Sequence, residues 1–393
     1  MSDPREAIQE DAFKHWIDND RRGTIEAITG IGKTFIALRA IAELPSDAKI
    51  LYLAETNERW KDLSLDITKY NEIYGVDLST RNIEMMCYQS AYKKRGLAHD
   101  LVICDEIHDS LSPEYAKYYV NNCSIRMMGL SATIEDSDLT IMGREVTKLQ
   151  FLNEFAPVCF SYKLADGQKD GTTRPLKVHI VEHRLDKNRR NVKAGTKAKP
   201  FMTSEAASYN YWDKRFKQTL YMPPDIREFP MRHAVRKRAE LLYSLPSKVE
   251  LVKELLETLN GKTLIFGNHL ETLEKVTPNI IRSAPKGISA KAQADSNRRA
   301  REMFDRGEID VIGSFKMLKQ GANLSEVDNV IVMSYYGKER DLIQRIGRLR
   351  MNGSRLGNVY IPVTIDTQEE KWFKEMTKSL QGVEFVTIPF IKL

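Results

Sequence analysis

The strongest constraint on the fold is a recurring pattern of short, nearly unbroken apolar runs that end in polar residues. In the first part of the chain these are "TIEAI" at 24–28, "AKILYLAE" at 48–55, "IEMMCY" at 83–88, "DLVICDE" at 100–106 and "SIRMMGLSA" at 124–132. Helical patterns lie between several of them, such as Phe35 to Leu44. Strands covered on both faces read as continuous Ile/Leu/Val runs, so the pattern predicts a parallel sheet flanked by helices. In such sheets a ligand lies beyond the carboxyl ends of the strands. The alternation resumes with "KTLIFGN" at 262–268, "DVIGSF" at 310–315, "NVIVMSYY" at 329–336 and "VYIPVTI" at 359–365, which predicts a second α/β domain.

The stretch between them reads differently. It holds the strand-like "KVHIVEHRL", then "DKNRRNVKAGTKAKP" and "YNYWDKRFKQTLYMPPDIREF", and Pro223 and Pro224 rule out a continuous helix there. Ser161 to Glu240 carries nineteen Lys and Arg against nine Asp and Glu, although the whole chain is only +6. A basic segment on an otherwise mildly acidic chain points to a polyanionic partner, most often nucleic acid. The alternative is a solvated loop with incidental lysines. The expected organisation is therefore 1–156 as a first domain, 157–245 as a basic accessory or bridging segment, and 246–393 as a second domain. In "NYWDKRFKQTLYM", Tyr211, Trp212 and Phe216 interleave with Lys214, Arg215 and Lys217. Trp212 and Phe216 are four apart and fit the buried stripe of one helix, with the cations outside on nucleic acid.

With 393 residues, 42% hydrophobic and 29% charged, the chain has the composition of an ordered globular protein. No apolar run approaches the ~20 residues of a membrane span, and "MSDPREAIQEDAFKHW" lacks a signal peptide's apolar centre, so a cytoplasmic location is expected. Cys87, Cys104, Cys123 and Cys159 show no paired spacing. Cys87 and Cys104 lie in apolar runs and read as buried thiols, not metal ligands.

Two short stretches carry chemistry. "EAITGIGKTFIAL" sets a glycine-bearing turn between a strand and a helix. In such a turn backbone N–H groups and the helix start face an anion, while Lys33 reaches the outer phosphates of a nucleotide. The general pattern wants glycine where Ala27 stands, so the match is relaxed. "LVICDEIHDS" puts Asp105 and Glu106 directly after an apolar strand. Two carboxylates there are costly without a cation or water. Around a nucleotide, Asp105 would hold Mg²⁺ beside the Thr34 hydroxyl and Glu106 would polarise the attacking water. Taken alone, the acidic pair is also compatible with a helix start.

Read in order, "AITGIGKT", "DEIH", "SAT" (Ser131 to Thr133) and "QRIGRLR" (Gln344 to Arg350) resemble motifs I, II, III and VI of superfamily 2 helicases. "IQEDAFKHW" resembles the glutamine element that senses adenine, with Gln9 at the matching position. "LYLAETNERWKD", "CYQSAYK", "TLIFGNHLETLEKV" and "SFKMLKQGANLSEVDNVI" resemble motifs Ia, Ib, IV and V. The resemblance covers nearly the whole chain except the basic segment. The "DEIH" box with "QRIGRLR" is more similar to the RecG/UvsW/XPB-like DNA translocases of DExH type than to DEAD-box RNA helicases. Several phage enzymes of branched DNA belong to that branch, and the length suits a phage or virus.

The resemblance implies two RecA-like parallel-sheet domains in tandem, with ATP between them. It implies that Lys33 and Thr34 bind phosphate and Mg²⁺, that Gly30 and Gly32 let the backbone approach, and that Ser131 and Thr133 couple nucleotide to nucleic acid. Gln344 and Arg348 would come from the second domain, Arg348 stabilising charge on the transferring phosphoryl group. Arg350 follows Arg348 by two residues where the family commonly has three, which leaves its contact with the nucleotide open. Motif V fits through Asn323, and motif I lacks the usual proline. Nucleic acid would contact Thr56, Arg59, Gln89, Ser90, Asn268, Lys316 and Gly321, mostly through phosphates. The chain begins almost at the glutamine element, so no separate N-terminal wedge domain is expected. The implied activity is an ATP-dependent DNA helicase or translocase that unwinds or branch-migrates forked, branched or single-stranded DNA. It would act as a monomer, with replication or recombination proteins as further partners. The alternatives are an RNA helicase, or a duplex translocase or annealing module that does not separate strands.

Overall fold

The computed structural model describes residues 4–56, 59–196, 198–315, 327–335, 356–378, 380 and 383–389. They form two units, Met1–Thr173 and Arg174–Leu393. In the first, helix α1 (Pro4–Asp18) precedes β1 (Arg22–Ala27), α2 (Lys33–Ala42), β2 (Ile50–Ala54) and α3 (Arg59–Tyr74). Then come β3 (Ile83–Cys87), β4 (Ala98–Asp105), β5 (Cys123–Ser131), a hairpin of β6 (Asp138–Ile141) and β7 (Arg144–Thr147), and β8 (Val158–Tyr162). Six of these strands form one parallel sheet in the order β3-β2-β4-β5-β1-β8. The apolar runs are its centre: all five residues of β2, and Leu101 to Cys104 of β4, are buried. Helix α1 is fixed to β5 by the buried Trp16 indole N–H, which donates to Met127 O at 2.8 Å.

The second unit contains β9 (Leu176–His183), the hairpin β10 (Val192–Gly195) and β11 (Pro200–Thr203), and helices Glu205–Thr219, Pro224–Tyr243 and Pro246–Thr258. These are followed by β12 (Thr263–Gly267), β13 (Ile280–Ile281), helix Ala290–Asp305, β14 (Val311–Phe315) and β15 (Asn329–Val332). The unit ends with β16 (Gly357–Thr364), helix Gln368–Thr377 and β17 (Glu384–Ile388). Its sheet is parallel throughout, in the order β13-β14-β12-β15-β16-β9-β17. The expected α/β class with two parallel sheets is the observed one.

The stretch 157–245 is divided between the two units. β8 pairs with β1 in the first sheet, and β9 lies between β16 and β17 in the second, with His183 opposite Thr364. Composition marks this stretch as basic, but strand partners are chosen by long-range register. The remainder holds the β10–β11 hairpin and a pair of packed helices broken at 220–223, where Pro223 and Pro224 were expected to interrupt. The four cysteines are free; Cys104 is buried, whereas Cys87 is only half-buried at the end of β3. Burial pushes the Cys104 thiol up to about 12. Among the described residues no helix is long and apolar enough to cross a membrane.

Candidate functional site

The loop after β1 turns through two left-handed glycines, Gly30 (φ 100°) and Gly32 (φ 88°), before α2 begins at Lys33. At Gly32 a side chain is excluded twice over. The backbone conformation disfavours L residues, and a Cβ would stand 2.5 Å from Gln9 Nε2. Gln9 Nε2 donates to Ile31 O at 2.7 Å, so the glutamine braces the loop from α1. The Lys33 ammonium folds back to donate to Ala27 O at 2.6 Å and Ile28 O at 3.4 Å. Desolvation pulls this amine below its ordinary range, and Glu106 and Asp105 oppose the shift. A desolvated ammonium facing two carboxylates is a charge arrangement that an anionic ligand with its own cation can complete.

The carboxylates sit at the end of β4. Asp105 closes the strand, and Glu106 adopts a left-handed backbone (φ 51°) at the start of a single 3-10 turn, Ile107–Ser110. Asp105 is bound by an arginine from the head of α3: Arg59 Nε donates to Asp105 Oδ2 at 2.7 Å, and its Nη2 donates to Thr34 Oγ1 at 2.8 Å. The same guanidinium lies 3.5 Å from Asp66 and 3.9 Å from Asp62. Burial works most strongly against its charge, but Asp105, Tyr52 and Asp66 together outweigh it and raise its pKa. Burial also raises the Asp66 carboxyl, with Arg59 opposing. Beyond Glu106, buried His108 lies 3.4 Å from the Glu106 carboxylate and joins Ser131 Oγ through Nδ1 at 2.7 Å. Ser131 Oγ also donates to Thr133 O at 2.8 Å. The acidic turn and the end of β5 are thereby one hydrogen-bonded unit.

Comparison with known proteins finds similarity over both units. The family model of the type III restriction enzyme res subunit matches residues 4–136, and that of the helicase conserved C-terminal domain matches residues 247–352. The DNA 3'-5' translocase XPB2 of Sulfurisphaera tokodaii is 24% identical over 357 residues, 87% of this chain and 77% of that protein. These findings support a superfamily 2 helicase. The families concerned are those of ATP-dependent enzymes, and the chain is an enzyme of that kind. Solved structures agree on the fold. The Pyrococcus furiosus Hef helicase domain aligns with TM-score 0.52 and 13% identity, covering 94% of this chain and 96% of that one. The type ISP restriction-modification enzyme LlaBIII bound to DNA aligns with TM-score 0.59 and 14% identity over 100% of this chain, which spans 31% of that enzyme. Both parallel-sheet units thus share the RecA-like fold of these structural neighbours.

The residues expected at the nucleotide fall into two groups. Gly30, Gly32, Lys33, Thr34, Asp105, Glu106, Ser131 and Thr133 lie at the carboxyl ends of strands of the first sheet or on the elements that follow, and Gln9 reaches the loop from α1, which precedes β1. Gln344, Arg348 and Arg350, and also Lys316 and Gly321, lie outside the described residues. Of the expected nucleic-acid positions, Thr56, Gln89 and Ser90 are exposed, and Asn268 follows β12 with its N–H bonded to Ser334 Oγ at 2.6 Å. Arg59 differs from expectation. Its side chain turns inward to Thr34 and Asp105, because β2 lies beside β4 and α3 starts just past the end of β2.

Sequence reasoning passed over two further residues. His108 is signalled by the "DEIH" box itself. Glu26 is not signalled at all; it accepts from Ile134 N at 3.0 Å and Ser161 Oγ at 3.0 Å, tying the segment after Ser131 to β8. The fit to a divalent cation is supported by the donor chemistry: a hydroxyl and a carboxylate already share a cationic group, the Arg59 guanidinium. In the helix pair, Phe216 lies under the buried Arg238 guanidinium at 4.4 Å and half-buried Trp212 packs on His233, while Lys214, Arg215 and Lys217 are exposed.

Proposed function

We propose that the chain is a DNA motor that unwinds or branch-migrates forked or branched DNA at the expense of Mg-ATP. The reading is supported above all by one observation. A desolvated Lys33 at the end of β1 faces an acidic pair at the end of β4, with Thr34 and Asp105 already sharing one cation. Lys33 would exchange its carbonyl partners Ala27 and Ile28 for phosphate oxygens, and Gly30 and Gly32 would let the loop backbone close on them. Asp105 and Thr34 would hold Mg²⁺, which supplies charge neutralisation on the phosphates when bound. Glu106 would orient the attacking water and take its proton, and the His108–Ser131 contact would carry a change at Glu106 to the end of β5. Gln344 and Arg348 would complete the site from the second unit, with Arg350 beside them.

DNA would contact the loops beyond the carboxyl ends of β2, β3 and β12, through Thr56, Gln89, Ser90 and Asn268, with Lys316 and Gly321. The helix pair of the 157–245 stretch would serve as the basic accessory element. Tyr221 at its turn is 90% exposed, and Phe229 in the second helix is 81% exposed. Lys214, Arg215 and Arg227 lie in the same two helices without an ion pair among the described residues. Exposed aromatics among free cations suit stacking on bases and neutralising phosphates.

The test is ATPase rate for wild type and Glu106→Gln, with no nucleic acid, single-stranded DNA, duplex DNA, a three-way fork or RNA. Strong stimulation by the fork, lost in the variant, is expected. Stimulation by RNA alone would replace the DNA reading with an RNA helicase, and stimulation without strand displacement would leave a duplex translocase.

A further inference from the structure

The Arg59 side chain stands where the preceding reading, on which this inference rests, needs a divalent cation. Its Nε is 2.7 Å from Asp105 Oδ2 and its Nη2 is 2.8 Å from Thr34 Oγ1. A magnesium ion binds oxygens at about 2.0–2.1 Å in a crowded octahedral shell. The guanidinium and a metal ion cannot both occupy the space between those two oxygens, and both are positive. One must leave when the other enters.

The structure also offers the guanidinium somewhere to go. Asp62 and Asp66 lie three and seven residues along α3, on the face below Arg59, at 3.9 and 3.5 Å. Arg59 is the first residue of α3, and Thr56 just before it is exposed. A rotation of this one side chain would therefore release Asp105 without moving the sheet, and would bring a cation toward the surface at the end of β2. Arginine is suited to both positions, because its fork binds a carboxylate or a phosphate equally well.

We propose that Arg59 is an exchangeable counter-cation: it occupies the Thr34–Asp105 gap in the absence of metal, competes with the divalent cation for it, and is drawn off by a nucleic-acid phosphate. Arg59 is thus a positioning residue that links nucleic-acid binding to metal binding. By reciprocity, whatever holds Arg59 away from Asp105 favours metal entry, and metal entry favours a phosphate at Arg59. A fixed ion pair that merely fastens α3 to β4 makes neither prediction.

The experiment is an equilibrium titration of Mg²⁺ against binding of a fluorescent ATP analogue to the full chain, with and without an oligo-dT strand. It is done for wild type and Arg59→Met, with melting curves to establish that each is folded. The Mg²⁺ midpoint is expected to fall about tenfold in Arg59→Met, the scale of a lost charge-assisted hydrogen bond, while binding in EDTA weakens because Asp105 is left uncompensated. Oligo-dT is expected to lower the midpoint in wild type and to have no such effect in the variant. An Asp62→Asn/Asp66→Asn double variant, which keeps Arg59 but removes its second anchorage, is expected to raise the midpoint. It carries the test if Arg59→Met does not fold. A midpoint unmoved in either variant overturns the inference, as does an equal oligo-dT effect with and without Arg59. If wild type binds no nucleotide at any Mg²⁺ concentration, the nucleotide-site reading itself fails and this inference falls with it.

Discussion

The second unit contains an ion pair whose removal has a calculable consequence. Lys248 and Glu369 are both fully buried, and Lys248 Nζ donates to the two carboxylate oxygens at 2.6 and 2.8 Å and to Leu242 O at 3.0 Å. Glu369 Oε2 also accepts from Thr364 N at 2.9 Å and Thr364 Oγ1 at 2.6 Å. The pair thus joins helix Pro246–Thr258 to helix Gln368–Thr377 and to the last residue of β16. Replacing Lys248 with Met keeps the aliphatic stem but strands a carboxylate in the core. Breaking a buried pair from one side typically costs ~3–5 kcal/mol, and a loss on that scale is expected here.

A second change, Glu369→Gln, removes the stranded charge and should recover most of the loss at pH 7. Hydrogen exchange of peptides from Gly357–Thr364 measures the deficit in this unit directly. A cost below about 1 kcal/mol, or no recovery on adding Glu369→Gln, would refute the reasoning.

Three further outcomes are expected. Gly32→Ala forces an L residue to φ 88° and drives its Cβ against Gln9 Nε2. It should destabilise the first unit by about 1–2 kcal/mol in urea titrations and weaken nucleotide binding, with Gln9→Ala relieving only part of the loss. His183 is buried against Ser247 and Thr364, and burial, with Lys248 nearby, pulls its imidazole down to about 3. The unfolded chain therefore binds a proton below about pH 6.5 that the folded one refuses, so stability falls as pH drops, by about 1.4 kcal/mol between pH 7.5 and 5.5. His183→Gln should flatten that slope in denaturant titrations, and an unchanged slope would assign it to other groups. Tyr221→Ala with Phe229→Ala should weaken single-stranded DNA binding at least fivefold by anisotropy, since one stacked base is worth about 1–3 kcal/mol; unchanged affinity would remove the helix pair from the interface.

Much of this was legible in the sequence, for physical reasons that also mark where legibility ends. The parallel strands could be read because burial on both faces demands runs such as Leu51–Ala54 and Leu101–Cys104. The phosphate loop could be read because only glycine tolerates the backbone at Gly30 and Gly32, and a lysine must follow. What could not be read depends on which distant segments become neighbours. β9 carries a strand-like pattern, yet nothing local says that it pairs with β16, about 180 positions along. Lys248 opens an ordinary amphipathic helix, and its burial depends on a glutamate beyond the last strand but one. Arg59 was expected as a nucleic-acid contact after β2, and nothing local shows that its side chain reaches Thr34 and Asp105.

The strand order resolves that last case and gives the site its logic. β2 is next to β4, so a long side chain just past β2 falls on the carboxylate that ends β4. β5 lies between β4 and β1, so Ser131 at its end sits between the acidic turn and the phosphate loop. Ser131 meets His108 with one oxygen that also donates to Thr133 O, the start of the segment that Glu26 ties to β1 and β8. A small displacement of Glu106 therefore has two routes outward, through His108 to the end of β5 and through Asp105 and Arg59 to the head of α3. Both routes leave from adjacent residues, because a strand end can present one carboxylate to each neighbour. The two carboxylates that look redundant in sequence are in this fold the branch point of the site.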